Sequence, residues 1–438
     1  MARLARIELF SAGEVAILIV MNRVVRRCFL LGNDPVTGKN YDHRKVWVED
    51  QLRLLAAHFG IDLLGFAILS NHFHLILRSR PDCVEKWDDT EVARRWLMVC
   101  PVRKDADGRA EEPNEMELNT IRNDPDRLKI IRSRLSDISW WMRLLCQQIA
   151  VRSNHEDREV GRFFSSRYKA VRLLDESALL ACAAYVDLNP IRAAMAETLE
   201  SSDYTSVQRR IQGLEQSQVV EQPAGAGLDR SGEIPSPRLP ARRDKDASPR
   251  KAGARESANY RLYPQTLEQP GSVDTLNAGD FCAIAEVVEQ LQPTEPSTNS
   301  DCSRQKPDQF LSPMWLDERN GPLGAVPNAA GLRCSDKGFL PLPLGDYLTL
   351  LDWTGRQLAN GKRGRIPNTV APILARLKLD RKTWCELVGT FGRRFFHVAG
   401  QPTTIDSTPS RVSQQRYYIP SHTRELLQNA SSKPSTNA

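Results

Sequence analysis

The chain has 438 residues, and its 60 Lys and Arg exceed its 54 Asp and Glu to give a formal net charge of +6. This mild positive charge permits nucleic-acid binding without requiring it, and the length is sufficient for two or three domains. The nine cysteines show no CxxC or zinc-finger spacing, which excludes a disulfide scaffold and indicates reduced thiols in the cytoplasm. The apolar run Val15–Met21 is seven residues long. A membrane-spanning helix needs about 20 residues, so we expect no membrane partner.

The first predicted elements are a strand, a helix and a hairpin. Residues 15–26 have the pattern of a buried strand that ends in arginines. Residues 43–59 have apolar side chains at helical spacing, and Gly60 is a suitable stop. Residues 61–69 and 72–78 are predicted to form two strands joined by a tight turn.

Two of the seven histidines, His72 and His74, lie on the second strand of this hairpin. Residues two apart on a strand point to the same face, so both imidazoles can converge on one divalent metal ion. The alternative is a pair of solvated or hydrogen-bonded histidines on an open sheet face. These two residues alone do not separate the interpretations.

The next elements alternate between helix and strand. Residues 81–124 are polar and predict an insertion with one helix near residues 90–98. Residues 127–152 have apolar side chains at spacings of three and four, which predicts one long helix. Residues 163–174 predict a strand. Its basic residues are candidate DNA contacts or the ordinary charged face of an edge strand: Arg162, Arg167, Lys169 and Arg172.

Asp175 is a suitable N-cap for a helix that runs to about Leu188, and Asn189-Pro190 can start another helix. The order is therefore strand, helix, strand, strand, helix, strand, helix. This order predicts an α+β fold over residues 10–214, with a ferredoxin-like antiparallel sheet and helices on one face.

The rest of the chain changes in composition. Residues 215–338 are rich in Pro, Gly, Ser and charge, and predict a largely disordered linker with one short helix at 279–292. Residues 339–400 predict a basic helical segment with helices at 347–358, 369–377 and 382–391. Residues 401–438 predict a flexible tail.

The basic segment has two interpretations. Between residues 340 and 400, ten Lys and Arg oppose four Asp and Glu, a difference of +6. This charge suits an accessory DNA-binding or dimerisation module, and two of its helices faintly suggest a helix-turn-helix. A small helical bundle with a solvated basic face has the same pattern.

Tyr185 and Asn189 are four residues apart and share a face of the predicted helix. A tyrosine hydroxyl can act as a nucleophile when a metal or cations favour the attack, and an amide oxygen suits Mg²⁺ or Mn²⁺. Packing of the tyrosine and helix capping by the asparagine are the alternatives.

Taken together, these motifs resemble the HUH single-tyrosine transposases. The segments are AILSNHFHLIL, GRFFSSRYKAVRL and YVDLNPIRAAM, and the early VMNRVVRRCFLLG is also similar. The resemblance covers roughly residues 10 to 210 and is nearest to the REP-associated tyrosine transposase-like proteins. It departs from compact members through the 81–124 insertion and the 215–438 extension.

The resemblance implies a metal-dependent single-stranded DNA endonuclease and strand transferase with the HUH nuclease fold. His72 and His74 would bind Mg²⁺ or Mn²⁺, with Asn189 as an additional ligand. Tyr185 would attack the scissile phosphate and form a 5′-phosphotyrosine. Such proteins act on single-stranded or hairpin DNA, often as homodimers, so a nucleoid-associated location is expected. The alternatives are a catalytically inactive hairpin-binding protein and a replication-initiator-type nickase.

Overall fold

Five strands form one mixed sheet at the centre of the protein, seen here in a computed structural model. The structure describes residues 9–10, 13–25, 28–221, 306–316, 326–358, 369–408 and 417–432. Strand β1 spans Ile17–Arg23, β2 spans Ile61–Ile68 and β3 spans His72–Ser79. Strand β4 spans Lys169–Leu173, and β5 is the short Val398–Ala399.

The strand order is β2-β3-β1-β4-β5. The first four strands are antiparallel to their neighbours, whereas β5 runs parallel to β4. The predicted α+β class is confirmed, and the hairpin of β2 and β3 lies where the alternation predicted it. The sheet is mixed rather than wholly antiparallel because the C-terminal segment adds the fifth strand.

The strand register separates the two faces of the sheet. Met21 pairs with both His74 and Lys169, so these three side chains share one face, while the neighbouring pair of Asn22 and Phe73 points to the other. Helices lie against both faces: Tyr185 of the helix Glu176–Asp187 contacts His74, and Asn22 donates to Cys146 Sγ of the helix Ile138–Asp157. The reason is that the consecutive residues Leu75 and Ile76 of β3 point to opposite faces and are both buried. Each face therefore needs an apolar cover.

The helices before β4 are more numerous than predicted. Helix α1 spans His43–His58. The insertion contains α2 (Pro81–Val84), α3 (Asp89–Val99) and α4 (Glu115–Arg122) in place of one helix. The predicted long helix is divided into α5 (Pro125–Leu135) and α6 (Ile138–Asp157). Asp137 causes the division, since its side chain accepts a hydrogen bond from the Ser139 amide and caps α6.

Strand β4 is shorter than the predicted 163–174. Only residues 169–173 pair continuously with β1, and Phe164 forms an isolated bridge with Val24. Phe163 and Phe164 are buried, which explains the strand-like apolar pattern in this loop. Beyond β4 lie α7 (Glu176–Asp187), α8 (Asn189–Arg192) and α9 (Ser206–Glu221). Asp175 caps α7 as predicted.

The C-terminal segment is helical, as predicted. It contains α10 (Leu344–Leu358), α11 (Val370–Arg376) and α12 (Arg381–Arg394). Residues 401–438, predicted as a flexible tail, contain α13 (Pro402–Ser407) and α14 (Ser421–Ser432). Within the described ranges, no helix has the length and apolar character that a membrane span requires.

Two pieces of the predicted linker are built into the fold. The Ser312 amide donates to the Leu63 carbonyl, and the Arg78 guanidinium donates to the carbonyls of Lys337 and Gly338. These pieces are residues 306–316 and 326–338, which hydrogen-bond to the strands of the hairpin. The remainder of the predicted linker, including the proposed helix at 279–292, lies outside the described residues.

The buried carboxyl of Asp187 joins the C-terminal segment to the first half of the chain. It accepts hydrogen bonds from Ser206 Oγ at 2.6 Å, from the Val207 amide at 3.2 Å and from Tyr347 Oη at 2.6 Å. Asp187 is 3% exposed and Tyr347 is fully buried. The carboxyl thus connects α7, α9 and α10, and burial raises its pKa.

We expect Tyr347→Phe to lower the free energy of unfolding by about 2 kcal/mol, because a buried carboxyl loses one hydrogen-bond donor. Urea unfolding followed by tryptophan fluorescence measures this loss. Tyr418→Phe is the matched control, since Tyr418 is 49% exposed and should be neutral. Equal stability of the two variants would contradict the bridging role of Asp187.

Candidate active site

His72 and His74 share a face of β3, and their ring centroids are 5.0 Å apart. His72 Nδ1 lies 2.7 Å from Asn71 Oδ1. Because that amide oxygen can only accept a hydrogen bond, Nδ1 carries the proton and Nε2 keeps a free lone pair. His72 is partly exposed, so this lone pair is available to a ligand.

His74 is 2% exposed, and neither ring nitrogen has a hydrogen-bond partner among the described residues. Burial lowers the pKa of His74 to about 3 and that of His72 to about 4. Both rings are therefore neutral at pH 7, the state in which imidazole binds metals. A buried polar group without a partner is unfavourable, which suggests that His74 has a ligand in the working protein.

Tyr185 lies on α7, directly over this histidine. The ring centroids of Tyr185 and His74 are 5.4 Å apart in an edge-to-face arrangement. The Arg192 guanidinium lies 5.1 Å from the centre of the tyrosine ring. Burial raises the pKa of Tyr185, and the positive charge of Arg192 offsets part of that rise. The hydroxyl is therefore protonated at neutral pH.

Asn189 follows α7 and begins α8. Its Nδ2 atom is buried without a hydrogen-bond partner among the described residues. Leu188 occupies the N-cap position of α8, and the helix has no side-chain cap. Capping therefore does not account for this asparagine. Its side chain lowers the pKa of Tyr185 and so lies beside the hydroxyl.

The chemistry of these side chains fits a divalent cation. Two neutral imidazoles and one amide oxygen offer lone pairs of the kind that first-row divalent metals accept. The described part of the chain holds no cluster of three or more His, Cys, Asp and Glu suited to a metal. The amide of Asn189 would therefore be needed as a third protein ligand.

The four basic residues predicted to contact DNA differ in position. Arg162, Arg167 and Lys169 are exposed, and Lys169 is on the same sheet face as His74. Arg172 is different, because it pairs with Leu18 and so points to the opposite face. Its guanidinium binds the Glu14 carboxylate at 2.6 Å and the Leu9 carbonyl at 3.0 Å. Arg172 therefore lies on the face away from the histidines, and its contact with DNA stays a prediction.

Two other arginines near the site were not predicted. Arg23 pairs with His72 across the sheet and is exposed. Arg192 lies seven residues after Tyr185, which is two helical turns. This spacing could have identified Arg192 as a neighbour of Tyr185, since residues seven apart return to the same helix face.

Comparisons with known proteins give one match. No family model matches the chain, and neither does any curated protein. A solved structure described as the REP-associated tyrosine transposase bound to a REP hairpin matches 54% of this chain and 100% of its own. The identity is 10% and the TM-score is 0.28.

His74 predicts a pH dependence of folding. Its pKa falls from an ordinary 6.5 to about 3 on folding. Between these values the unfolded chain binds a proton that the folded protein does not, so stability is lost as the pH falls from 6.5 towards 3. At pH 5 this loss is about 2 kcal/mol.

We expect His74→Asn to remove this contribution, so that unfolding free energy changes by about 2 kcal/mol less between pH 7 and pH 5. Urea unfolding in EDTA at the two pH values measures the difference. His155→Asn is the control at an exposed histidine and should keep the wild-type profile. A wild-type profile in His74→Asn would show that this ring does not titrate as described.

Proposed function

We propose that this protein is a metal-dependent enzyme that nicks and rejoins single-stranded DNA beside hairpins, as the HUH single-tyrosine transposases do. The observation that carries the proposal is the contact between the Tyr185 ring and the unpartnered ring of His74. The permanently charged groups that perturb His72, His74 and Tyr185 are arginines. A site with this charge attracts a phosphodiester.

In the reaction, Tyr185 Oη forms a bond to the scissile phosphorus, and the bond between phosphorus and the 3′ oxygen breaks. The tyrosine proton passes to solvent, and the departing 3′ oxygen takes up a proton. One phosphodiester replaces another, so the energy of the broken bond is kept in the 5′-phosphotyrosine. Attack by a free 3′-hydroxyl on this linkage rejoins the strand without a nucleotide cofactor.

His72, His74 and Asn189 would hold Mg²⁺ or Mn²⁺, and a bound metal would neutralise phosphate charge and orient the phosphorus. The protein supplies the rest. The sheet fixes the two imidazoles on one face, and α7 holds the nucleophile above them. The exposed Lys169 on the same face is suited to contact the DNA backbone.

The first test is a covalent adduct. A single-stranded hairpin oligonucleotide labelled at its 3′ end should become attached to the protein and migrate with it on a denaturing gel. Tyr185→Phe should abolish this adduct, because phenylalanine has no nucleophile, while hairpin affinity changes less than about 3-fold. Tyr204→Phe, at another partly buried tyrosine, is the control.

The position of the label makes the test specific. A 5′-labelled strand should instead yield a shorter free product with an extendable 3′-hydroxyl. Normal adduct formation by Tyr185→Phe would refute the assigned nucleophile. Hairpin binding without an adduct, in the wild type and with either metal present, would indicate an inactive DNA-binding protein.

The second test is metal dependence. EDTA should stop adduct formation, and Mg²⁺ or Mn²⁺ should restore it. His72→Ala and His74→Ala should each reduce the adduct rate at least 100-fold, as expected when a ligand or its support is lost. His58→Ala is the control at a partly buried histidine on α1. Full activity in EDTA would exclude the proposed metal site.

A further inference from the structure

Helix α12 of the C-terminal segment touches the candidate nucleophile. A Cβ atom at Gly392 would lie 2.7 Å from Tyr185 Oη, closer than side-chain atoms approach, so only glycine allows this contact. One residue earlier, the Phe391 ring packs on the Tyr185 ring with centroids 5.9 Å apart. The predicted accessory segment therefore forms one wall around the tyrosine hydroxyl.

The same helix holds Arg192 in place. The Arg192 guanidinium donates a hydrogen bond to the Gly389 carbonyl of α12 while it lies over the Tyr185 ring. A carbonyl does not neutralise its charge. Arg192 is exposed, so its guanidinium is accessible to an anion from solvent.

Arg393 directly follows the glycine at the hydroxyl and is exposed. Other arginines of this segment bind carboxylates: Arg356 pairs with Asp352, Arg376 with Glu176 and Arg394 with Glu386. No ion pair joins Arg393 to a carboxylate within the described ranges. Burial lowers the pKa of Arg192, and the charge of Arg393 lowers it further, as expected between neighbouring cations. A bound anion would relieve the repulsion between the two charges.

The packing of α12 favours a permanent wall over a detachable cover. Trp384 is fully buried, and its Nε1 donates to Thr354 Oγ1 of α10 at 2.9 Å. Leu387, Val388 and Phe391 are also buried on α12. Moving the helix off Tyr185 would expose these apolar side chains to water, which is unfavourable. Such a helix is part of the site.

We propose that Arg192 and Arg393 form a phosphate subsite at the Tyr185 hydroxyl, so that the C-terminal segment completes the active site. This inference rests on the proposed function. The two guanidinium groups would bind non-bridging oxygens of the scissile phosphodiester or its neighbour, with the forked geometry that suits phosphate. Arg192 lies on α8, directly after the tyrosine helix, and Arg393 lies on α12.

The test compares Arg393→Ala, Arg393→Lys and Lys382→Ala. Lys382 is an exposed cation at the other end of α12 and provides a control with the same loss of charge. The first measurement is hairpin-oligonucleotide affinity as a function of salt, by fluorescence anisotropy. A plot of the logarithm of the association constant against the logarithm of salt concentration has a negative slope. Arg393→Ala should reduce the magnitude of this slope by about 0.7, the value for one phosphate contact to a single strand. Arg393→Lys should restore the slope, and Lys382→Ala should leave it unchanged.

The second measurement is the single-turnover rate of adduct formation at saturating protein. Arg393→Ala should reduce this rate at least 10-fold, whereas Lys382→Ala should not. Gly392→Ala should also reduce it, since the added Cβ displaces the hydroxyl. A faster rate in Gly392→Ala would show that α12 is an inhibitory cover and would overturn the proposal.

The two measurements separate failure of the subsite from failure of the proposed chemistry. An unchanged salt slope in Arg393→Ala would overturn the subsite, even where the wild type forms the adduct. A reduced slope supports the subsite, even where no adduct forms in the wild type, and then the proposed chemistry is wrong. Circular dichroism and thermal unfolding check that the exposed substitutions leave the fold intact.

Discussion

The structure depends strongly on how the Asp187 carboxyl is kept from water. A buried carboxyl is costly unless hydrogen bonds replace its hydration, and here they come from Ser206, Val207 and Tyr347. These donors belong to α9 and α10, which are far apart in sequence. Since Asp187 lies two residues after Tyr185, the same hydrogen bonds fix the end of the helix that carries the candidate nucleophile. Stability and site geometry therefore share one interaction.

The second constraint is electrostatic: among the described residues, the charged side chains that shift the pKa values of His72 and His74 include arginines and no carboxylate. Burial keeps His72 and His74 neutral, and the cations beside them come from separate elements, with Arg23 on β1 and Arg192 on α8. A carboxylate in the metal site would reduce the charge of a bound cation and repel phosphate. A neutral amide, such as that of Asn189 in the proposed site, would avoid both effects. This arrangement suits an anionic substrate better than a structural metal.

The sequence predicted those parts of the fold that local patterns determine. Alternation over residues 61–78 predicted the hairpin. It also predicted that His72 and His74, two residues apart on one strand, point to the same face. The face of Arg172 could not be predicted, because it depends on pairing with Leu18 across the sheet. The break between α5 and α6 was missed because the apolar spacing continues through it, while Asp137 caps the second helix. The ordered pieces at 306–316 and 326–338 are held by distant partners such as Leu63 and Arg78, which composition does not reveal.

The composition of α7 explains why a helix of the C-terminal segment lies against the tyrosine. Residues 177–184 are all buried, so α7 is apolar around its circumference and the sheet alone cannot cover it. A second layer is required, and α12 supplies it. A helix that covers α7 must also approach Tyr185, and the close contact there requires a residue without a side chain. Gly392 meets that requirement, and the charge of the next residue, Arg393, offsets part of the rise that burial causes in the pKa of Tyr185. The need to bury one apolar helix thus brings a cation from the far end of the chain to the candidate nucleophile.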